Sequence, residues 1–259
     1  MRKQPISLEE RKKIQLEMLV EIDAFCRAHN IKYMLAFGTL LGAIRHKGYI
    51  PWDDDVDISM PLEDMLRFKK EFKSDKLKYC DADTEKYYEW TFSRIAKKST
   101  YNKTGLICKT YGINIDLYPT IEVSSSSDRT NSIIKSLMAT CKRCRRLVKF
   151  RRRIIKLLPI KSLCGFRKAI RNQRDVLWGS LECKGGGAFH CDAGPIEQFE
   201  AHTFDFNPFE EMIEVDFEGH KFMAPAKYHQ YLTTRYGDYM KLPPEDQRHP
   251  YHVAKYYWE

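Results

Sequence analysis

A mixed α/β (α+β) fold, with a sheet core flanked by helices and a basic helical insertion, is what this 259-residue chain predicts. Three observations lead there. Segments with an apolar residue every three or four positions are interleaved with short runs alternating apolar and polar, so helices and strands mix along one chain. An apolar fraction of 43%, with 15 Tyr and 14 Phe, is enough for a real core and excludes wholesale disorder. The charge is also partitioned. The net +9 conceals a segment, residues 129–174, with 16 basic residues and no Asp or Glu; the other 213 residues hold 28 basic and 35 acidic side chains, a balance of −7.

The elements follow in order. Ser7 with Glu10 has capping-box spacing, and Ile14, Met18, Ile22, Phe25 and Cys26 recur at helical spacing, which predicts an amphipathic helix over 8–29. Residues 31–37 read as a short buried strand running into Gly38-Thr39, and 40–45 as a short helix. Residues 55–60 alternate as a strand, 62–72 return to helical spacing, and 87–96 and 111–118 are further strands. Four serines at 124–127 mark a loop and a boundary. Apolar residues from Ile133 to Leu158, with Lys and Arg between them, predict a basic amphipathic helix ending at Pro159. Gly185-Gly186-Gly187 is a flexible turn, 215–222 a hairpin around Glu218-Gly219, and Pro225 the first turn of a helix that reaches Tyr236 and stops at Gly237. The proline-rich stretch 242–252 is irregular.

Composition narrows the class. No run of 18 apolar residues exists, so no segment is expected to span a bilayer as a helix. The start, MRKQPISLEERKK, has no apolar stretch behind its basic residues, so a secretory signal is not expected. Eight cysteines in such a chain read as reduced thiols, and the expected location is cytoplasmic, peripheral on the inner membrane face if the basic segment docks there.

The chemistry concentrates in residues 38–58. On a strand, Asp55 and Asp57 share a face with Cα atoms roughly 7 Å apart. Carboxylates that close repel unless a cation lies between them. Hard oxygen ligands on an open face suit Mg²⁺, with Mn²⁺ as the alternative. In residues 113–119, Ile113, Ile115 and Leu117 alternate inward and leave Asp116 on the other face as a third carboxylate. Such a triad can hold one or two metals around a phosphoryl group. Gly38-Thr39 at a strand-to-helix junction would let backbone amides approach phosphate oxygens. Each piece has a plainer reading: a D-x-D pair can be a solvated edge, and a Gly-Thr junction ordinary turn chemistry. Their order, Gly-Thr before a short helix, then D-x-D, then a separate Asp on a strand, is the general pattern of a nucleotidyltransferase fold.

Here a resemblance becomes specific. GTLLGAIRHKGYIPWDDDVDISM (38–60) resembles the signature of the LicD family, which includes phosphocholine transferases and is related to fukutin-type CDP-alcohol phosphotransferases. YGINIDLYP (111–119) resembles the family's third-carboxylate strand, and the stretch from Phe217 to His252 resembles its carboxyl-terminal motif. The resemblance implies a nucleotidyltransferase-like mixed sheet, a CDP-linked donor and transfer of a phospho-substituent with CMP leaving. Asp55, Asp57 and Asp116 are then the catalytic metal ligands, with Asp53 as a further ligand or its orienter and Asp54 structural. Gly38, Thr39 and Arg45 would line the donor phosphates, and His252 would line the site; Arg45 and His252 read equally as surface residues. Asp116 is the expected activator of the acceptor hydroxyl. Residues 1–123 would form the core with the metal site, 124–175 the basic helical segment, and 176–259 the part completing the same catalytic unit.

The expected reaction is Mg²⁺-dependent transfer of phosphocholine from CDP-choline to a hydroxyl of a cell-surface glycan, a teichoic-acid-like polymer or a lipid-linked precursor. Another CDP-alcohol, such as CDP-ribitol, is the alternative. Trp52, Tyr87, Tyr88 and Trp90 are candidate cage residues for a quaternary ammonium, or simply packing residues. The basic segment suits a solvated face, an anionic membrane surface or a polyanionic acceptor. A different class, an RNA nucleotidyltransferase or nucleic-acid-binding module, would also use a basic helix, but no RNA-recognition signature accompanies it. Cys141, Cys144, Cys183 and Cys191 can be drawn as a zinc site, though no second C-x-x-C supports one.

Overall fold

The computed structural model describes residues 4–85, 88, 90–104, 108–124, 171, 174–175, 178–179, 182, 184–191, 202–250 and 254–259. Helix α1, Leu8–Ala28, starts as its sequence dictates. The Ser7 hydroxyl accepts the Glu10 amide at 3.1 Å, and Ile14, Met18, Leu19, Ile22 and Cys26 form the buried face. Two polar residues on the same face are buried as well. Arg11 and Gln15 reach across to the Asp54 carbonyl and the Asn114 carbonyl, so α1 fastens the acidic loop and the neighbouring strand together.

Strand β1, Met34–Leu35, is shorter than the 31–37 run suggests. It turns directly into helix α2, Phe37–His46, so Gly38 and Thr39 lie in the first helical turn rather than before it. Strand β2 is Asp57–Pro61; Asp55 and Val56 continue its alternation but belong to the preceding loop, since ladder pairing begins at Asp57. Helix α3, Leu62–Glu71, follows and buries Met65 and Phe68. Then come β3, Leu77–Cys80, β4, Ser93–Lys97, β5, Thr100–Thr104, β6, Cys108–Tyr111, and the long β7, Asn114–Ser124.

The main sheet has seven strands and is mixed and curled between flanking helices, in the order β1-β2-β7-β4-β3. β2 and β7 are parallel, while β1 and β4 are antiparallel to their neighbours. One edge of β7 is shared. Its first half pairs with β4, and its second half pairs with β8, Gly187–Cys191, which in turn pairs with β9, Thr203–Phe204. Strands from before and after the basic segment therefore build one sheet. Met34, Leu35, Ile58, Met60, Ile115 and Leu117 form its buried centre.

Two small sheets complete the described residues. β10, Met212–Phe217, and β11, His220–Pro225, make the expected hairpin; Glu218 (φ 50°) and Gly219 (φ 77°) both adopt the left-handed backbone a two-residue hairpin turn demands. β12, Tyr256–Trp258, adds to β5 and β6. Pro225 ends β11 instead of opening a helix, and helix α4 is Tyr228–Tyr236, stopped at Gly237 as expected. Of the 242–252 stretch, the described residues 242–250 are irregular apart from one 3₁₀ turn at Glu245–Gln247. Among the described residues no helix is long and apolar enough to cross a membrane. The basic helix expected over 133–158 lies outside the described residues. At the end of that segment Arg171 and Arg174 pair with Asp83, beside Lys69 on α3.

Candidate active site

The site grows from the junction of β1, α2 and β2. Asp57 opens β2, and its amide donates to the Thr39 hydroxyl at 2.8 Å, while its carbonyl accepts the Ala36 amide at 3.0 Å. The first turn of α2 and the start of β2 are thereby locked to each other. The N-cap residue Ala36 offers no side-chain acceptor, the Tyr231 hydroxyl comes near the Phe37 amide, and among the described residues the Gly38 and Thr39 amides meet no acceptor. Gly38 is needed there: a Cβ would stand 2.7 Å from the Asp53 Oδ2.

Asp53, Asp54 and Asp55 form the loop ahead of β2, and each brings a carboxylate oxygen within 4.8 Å of the other two. Asp54 faces α1 and ion-pairs with Arg11 at 2.5 Å, both side chains buried. Burial raises Asp53 above the ordinary carboxylate range, against the opposing pull of the Asp54 amide and a bond with Asp55. Asp57 is raised further, by burial first and then by the charges of Asp55, Asp116 and Asp53. Its Oδ1 is sealed from solvent and meets no donor among the described residues. A buried carboxylate among like charges, with an unpartnered oxygen, calls for a cation or a proton. Hard oxygen donors and surplus negative charge fit a divalent metal.

Asp116 lies in register with Asp57 across the parallel pair, yet its surroundings are opposite. Arg94, its cross-strand partner on β4, grips it with two bonds, Nε to Oδ1 at 2.7 Å and Nη2 to Oδ2 at 2.9 Å. Asn114 Nδ2 donates to Oδ1 at 2.6 Å, and the Tyr118 hydroxyl to Oδ2, more weakly, at 3.4 Å. A carboxylate has about four lone-pair sites; three are firmly engaged here, and the Tyr118 hydroxyl is shared with Asp57. Burial opposes the Arg94 charge, but Asp116 and the Tyr111 phenol outweigh it and hold the guanidinium protonated. That guanidinium also sits over three rings, 5.0 Å from Trp90, 5.3 Å from Phe92 and 5.1 Å from Tyr111.

Comparison with known proteins comes down on one family. The family described as "LicD/FKTN/FKRP, nucleotidyltransferase domain" matches residues 30–153, which contain every carboxylate above. The "Lipopolysaccharide cholinephosphotransferase LicD" of Haemophilus influenzae is 28% identical over 270 residues, covering 97% of this chain and 98% of that one. Residues 30–153 thus resemble the LicD family, and the likeness to a LicD protein runs along nearly the whole chain. Shorter likenesses agree: an uncharacterised protein of Rickettsia typhi is 41% identical over 64 residues, 24% of this chain and 21% of that one. The "Ribitol 5-phosphate transferase FKRP" of Homo sapiens is 53% identical over 38 residues, 15% of this chain and 8% of that one.

The LicD signature residues do not all converge. Gly38, Thr39, Asp53, Asp55, Asp57 and Asp116 surround the β1–α2–β2 junction and its parallel neighbour. Arg45 does not join them at the α2 start. It lies in the last turn of α2, donating to the Tyr239 carbonyl at 2.7 Å and to His46 Nε2 at 2.9 Å. His252, Tyr87, Cys141, Cys144 and Cys183 lie outside the described residues; Cys191 is a buried thiol beside the Ser59 hydroxyl. The aromatic candidates already face cations of the chain itself. Arg94 covers Trp90, Arg248 stands 5.6 Å from the Trp52 ring, and Tyr88 is fully buried with its hydroxyl on the Phe92 carbonyl. Tyr118 shares the face of Asp116 by strand alternation alone, whereas Arg94 is the residue sequence reasoning passed over, because only the β4–β7 pairing reveals that it meets Asp116.

Proposed function

We propose that this protein transfers phosphocholine from CDP-choline to a hydroxyl of a cell-surface glycan or its lipid-linked precursor, releasing CMP. The observation that carries this reading is the orphaned, buried Asp57 Oδ1 set among carboxylates beside an uncapped helix start. One side of the site asks for a cation and the other offers amides to an anion, which together suit a metal-bound diphosphate. The end-to-end likeness to a cholinephosphotransferase supports choline as the phospho-substituent.

Asp53, Asp55 and Asp57 would hold Mg²⁺, or Mn²⁺ in its place. The bound ion would supply neutralisation of charge on the transferring phosphoryl group and on the departing CMP. Gly38 and Thr39 amides would hold the donor phosphates, and the missing Cβ at Gly38 leaves room for Asp53 above them. The acceptor oxygen attacks phosphorus in line as the phosphorus–oxygen bond to CMP breaks. Asp116 would need to shed Arg94, Asn114 or Tyr118 before accepting the hydroxyl proton, so a carboxylate oxygen of the Asp53–Asp57 stretch that does not hold the ion is the better acceptor for it. Asp116 then acts as the anchor that fixes Arg94 and, through the strand pair, the position of Asp57.

The nucleotidyltransferase-like core is assigned to residues 1–123, completed by 176–259, with 124–175 as a separate basic segment. Its +16 charge suits an anionic inner membrane surface where a lipid-linked acceptor would reside, which supports a cytoplasmic, peripheral location. A second reading, transfer of ribitol phosphate from CDP-ribitol, is favoured by one observation: the Trp52 and Trp90 faces expected to receive choline already face Arg248 and Arg94. Incubation with CDP-choline, CDP-ribitol or CTP and Mg²⁺ separates these readings. CMP from CDP-choline is expected; CMP from CDP-ribitol alone would select the second reading, and pyrophosphate from CTP would refute both.

A further inference from the structure

Arg235 closes α4 and has an environment unlike the other described arginines. Its guanidinium lies 5.9 Å from the ring centre of Phe37 and 5.2 Å from that of Tyr236. Its Nε is sealed from solvent without a hydrogen-bond partner, and among the described residues no carboxylate or carbonyl pairs with the side chain. Every other described arginine has such an acceptor, whether Asp54, Asp23, Tyr239, Asp64, Asp116, Asp83 or Pro243. Leaving a guanidinium N–H desolvated and unbonded is costly. The sealed Nε leaves no room for a further atom, so a ligand acceptor would be met by the Nη atoms, which are not sealed, and would offset that cost.

Position gives the ligand's chemistry. Phe37, under the guanidinium, is the first residue of α2, immediately before the Gly38 and Thr39 amides that meet no acceptor. Phe37 also carries a left-handed backbone, φ 45°, which an aromatic residue adopts at a cost and which the packed junction must enforce. Two rings wedge it, Tyr118 at 5.2 Å and His202 at 5.3 Å. His202 is 4% exposed, and neither ring nitrogen reaches a partner among the described residues, although the Cys191 backbone comes near. Burial, with the Arg235 charge added, lowers its pKa to about 4, so His202 is neutral and contributes no competing charge. Burial raises the Tyr236 phenol, Arg235 opposes the rise, and Asp57, Asp53 and Asp55 reinforce it, so the ring beside the cation also senses the acidic cluster.

We propose that Arg235 is a substrate-binding residue that donates to the diphosphate of the donor at the start of α2. This rests on the phosphotransfer reading above and adds to it a cation from the carboxyl-terminal helix. The planar fork can give two parallel bonds to phosphate oxygens while its face remains on Phe37.

The test is calorimetric binding of CDP-choline, inorganic pyrophosphate and cytidine, each with Mg²⁺, to the wild type, Arg235→Met and Arg235→Lys. Thermal melting of each variant checks that it is folded. Methionine keeps the packing on Phe37 without the donors; lysine restores charge without the fork. The expected result is a loss of about tenfold or more for CDP-choline and pyrophosphate in Arg235→Met, partial recovery in Arg235→Lys, and cytidine changed less than about twofold. Unchanged CDP-choline and pyrophosphate binding in a folded Arg235→Met would overturn the role of Arg235 and leave the donor reading standing. Equal weakening of all three ligands would overturn it too, by showing a merely structural effect. If the wild type binds pyrophosphate but not CDP-choline and Arg235→Met loses pyrophosphate, the anion site stands and the donor reading falls. If the wild type binds neither, both fall.

Discussion

Asp57 and Asp116 stand opposite each other on adjacent parallel strands and are almost equally buried, at 8% and 6% exposure. They differ in what faces them. Asp116 has a two-bond guanidinium and an amide, while the Tyr118 phenol is shared with Asp57. Asp57 has three neighbouring carboxylates raising its pKa and an oxygen with no donor. The same residue type at one level of the sheet has thus become a neutralised anchor on β7 and, on β2, a carboxyl group that calls for a proton or a cation. Burial alone does not decide which carboxylate does chemistry; the partner on the next strand does.

The comparison is open to direct attack. Asp57→Asn should have the largest effect, a fall in CMP release on the order of a thousandfold, with no loss of melting temperature in metal-free buffer because an uncompensated buried charge is removed. A variant that loses stability but keeps turnover would reverse the roles assigned to the two aspartates. Asp116→Asn should instead be a stability mutation, costing about 3–5 kcal/mol in urea unfolding, because Arg94 is left buried without its counter-charge. Thr39→Val removes the acceptor for the Asp57 amide and should cost about 1–3 kcal/mol, with turnover falling alongside as β2 loosens from α2.

The smallest effect is electrostatic. A carboxylate whose folded pKa lies above its unfolded value binds more protons in the fold, so metal-free stability should decline as pH rises from the ordinary carboxylate range through the raised value of Asp57. Mg²⁺ should therefore raise the melting temperature at neutral pH, and the gain should shrink as acid protonates the site. Melting curves from pH 4 to 8, with and without Mg²⁺, read this directly, and Asp57→Asn should flatten the difference.

Much of this was legible in the sequence, for physical reasons that also mark the limit. The Ser7 cap and the Glu218-Gly219 turn are local, and both formed as read. The chain alternates identically through Asp55, Val56, Asp57 and Ile58, so periodicity could not show that ladder pairing starts only at Asp57. Pro225 fits a helix start and the end of a hairpin strand equally well; pairing with Met212 settled it. The six signature residues Gly38, Thr39, Asp53, Asp55, Asp57 and Asp116 are near one another in space, but Arg45 is seven positions along α2 from Gly38, about 10 Å by helical rise. Arg94 was invisible because its importance is a matter of register with Asp116, twenty-two residues away. The aromatic residues were visible, but the arginines stacked on them were not.

The most direct test of the account is a calorimetric titration of Mg²⁺ into the wild type and into Asp57→Asn at neutral pH. The wild type should bind the ion and the variant should lose most of that affinity while remaining folded. Equal affinity in the two proteins would contradict the claim that the unsatisfied carboxylate of β2 is what the cation occupies.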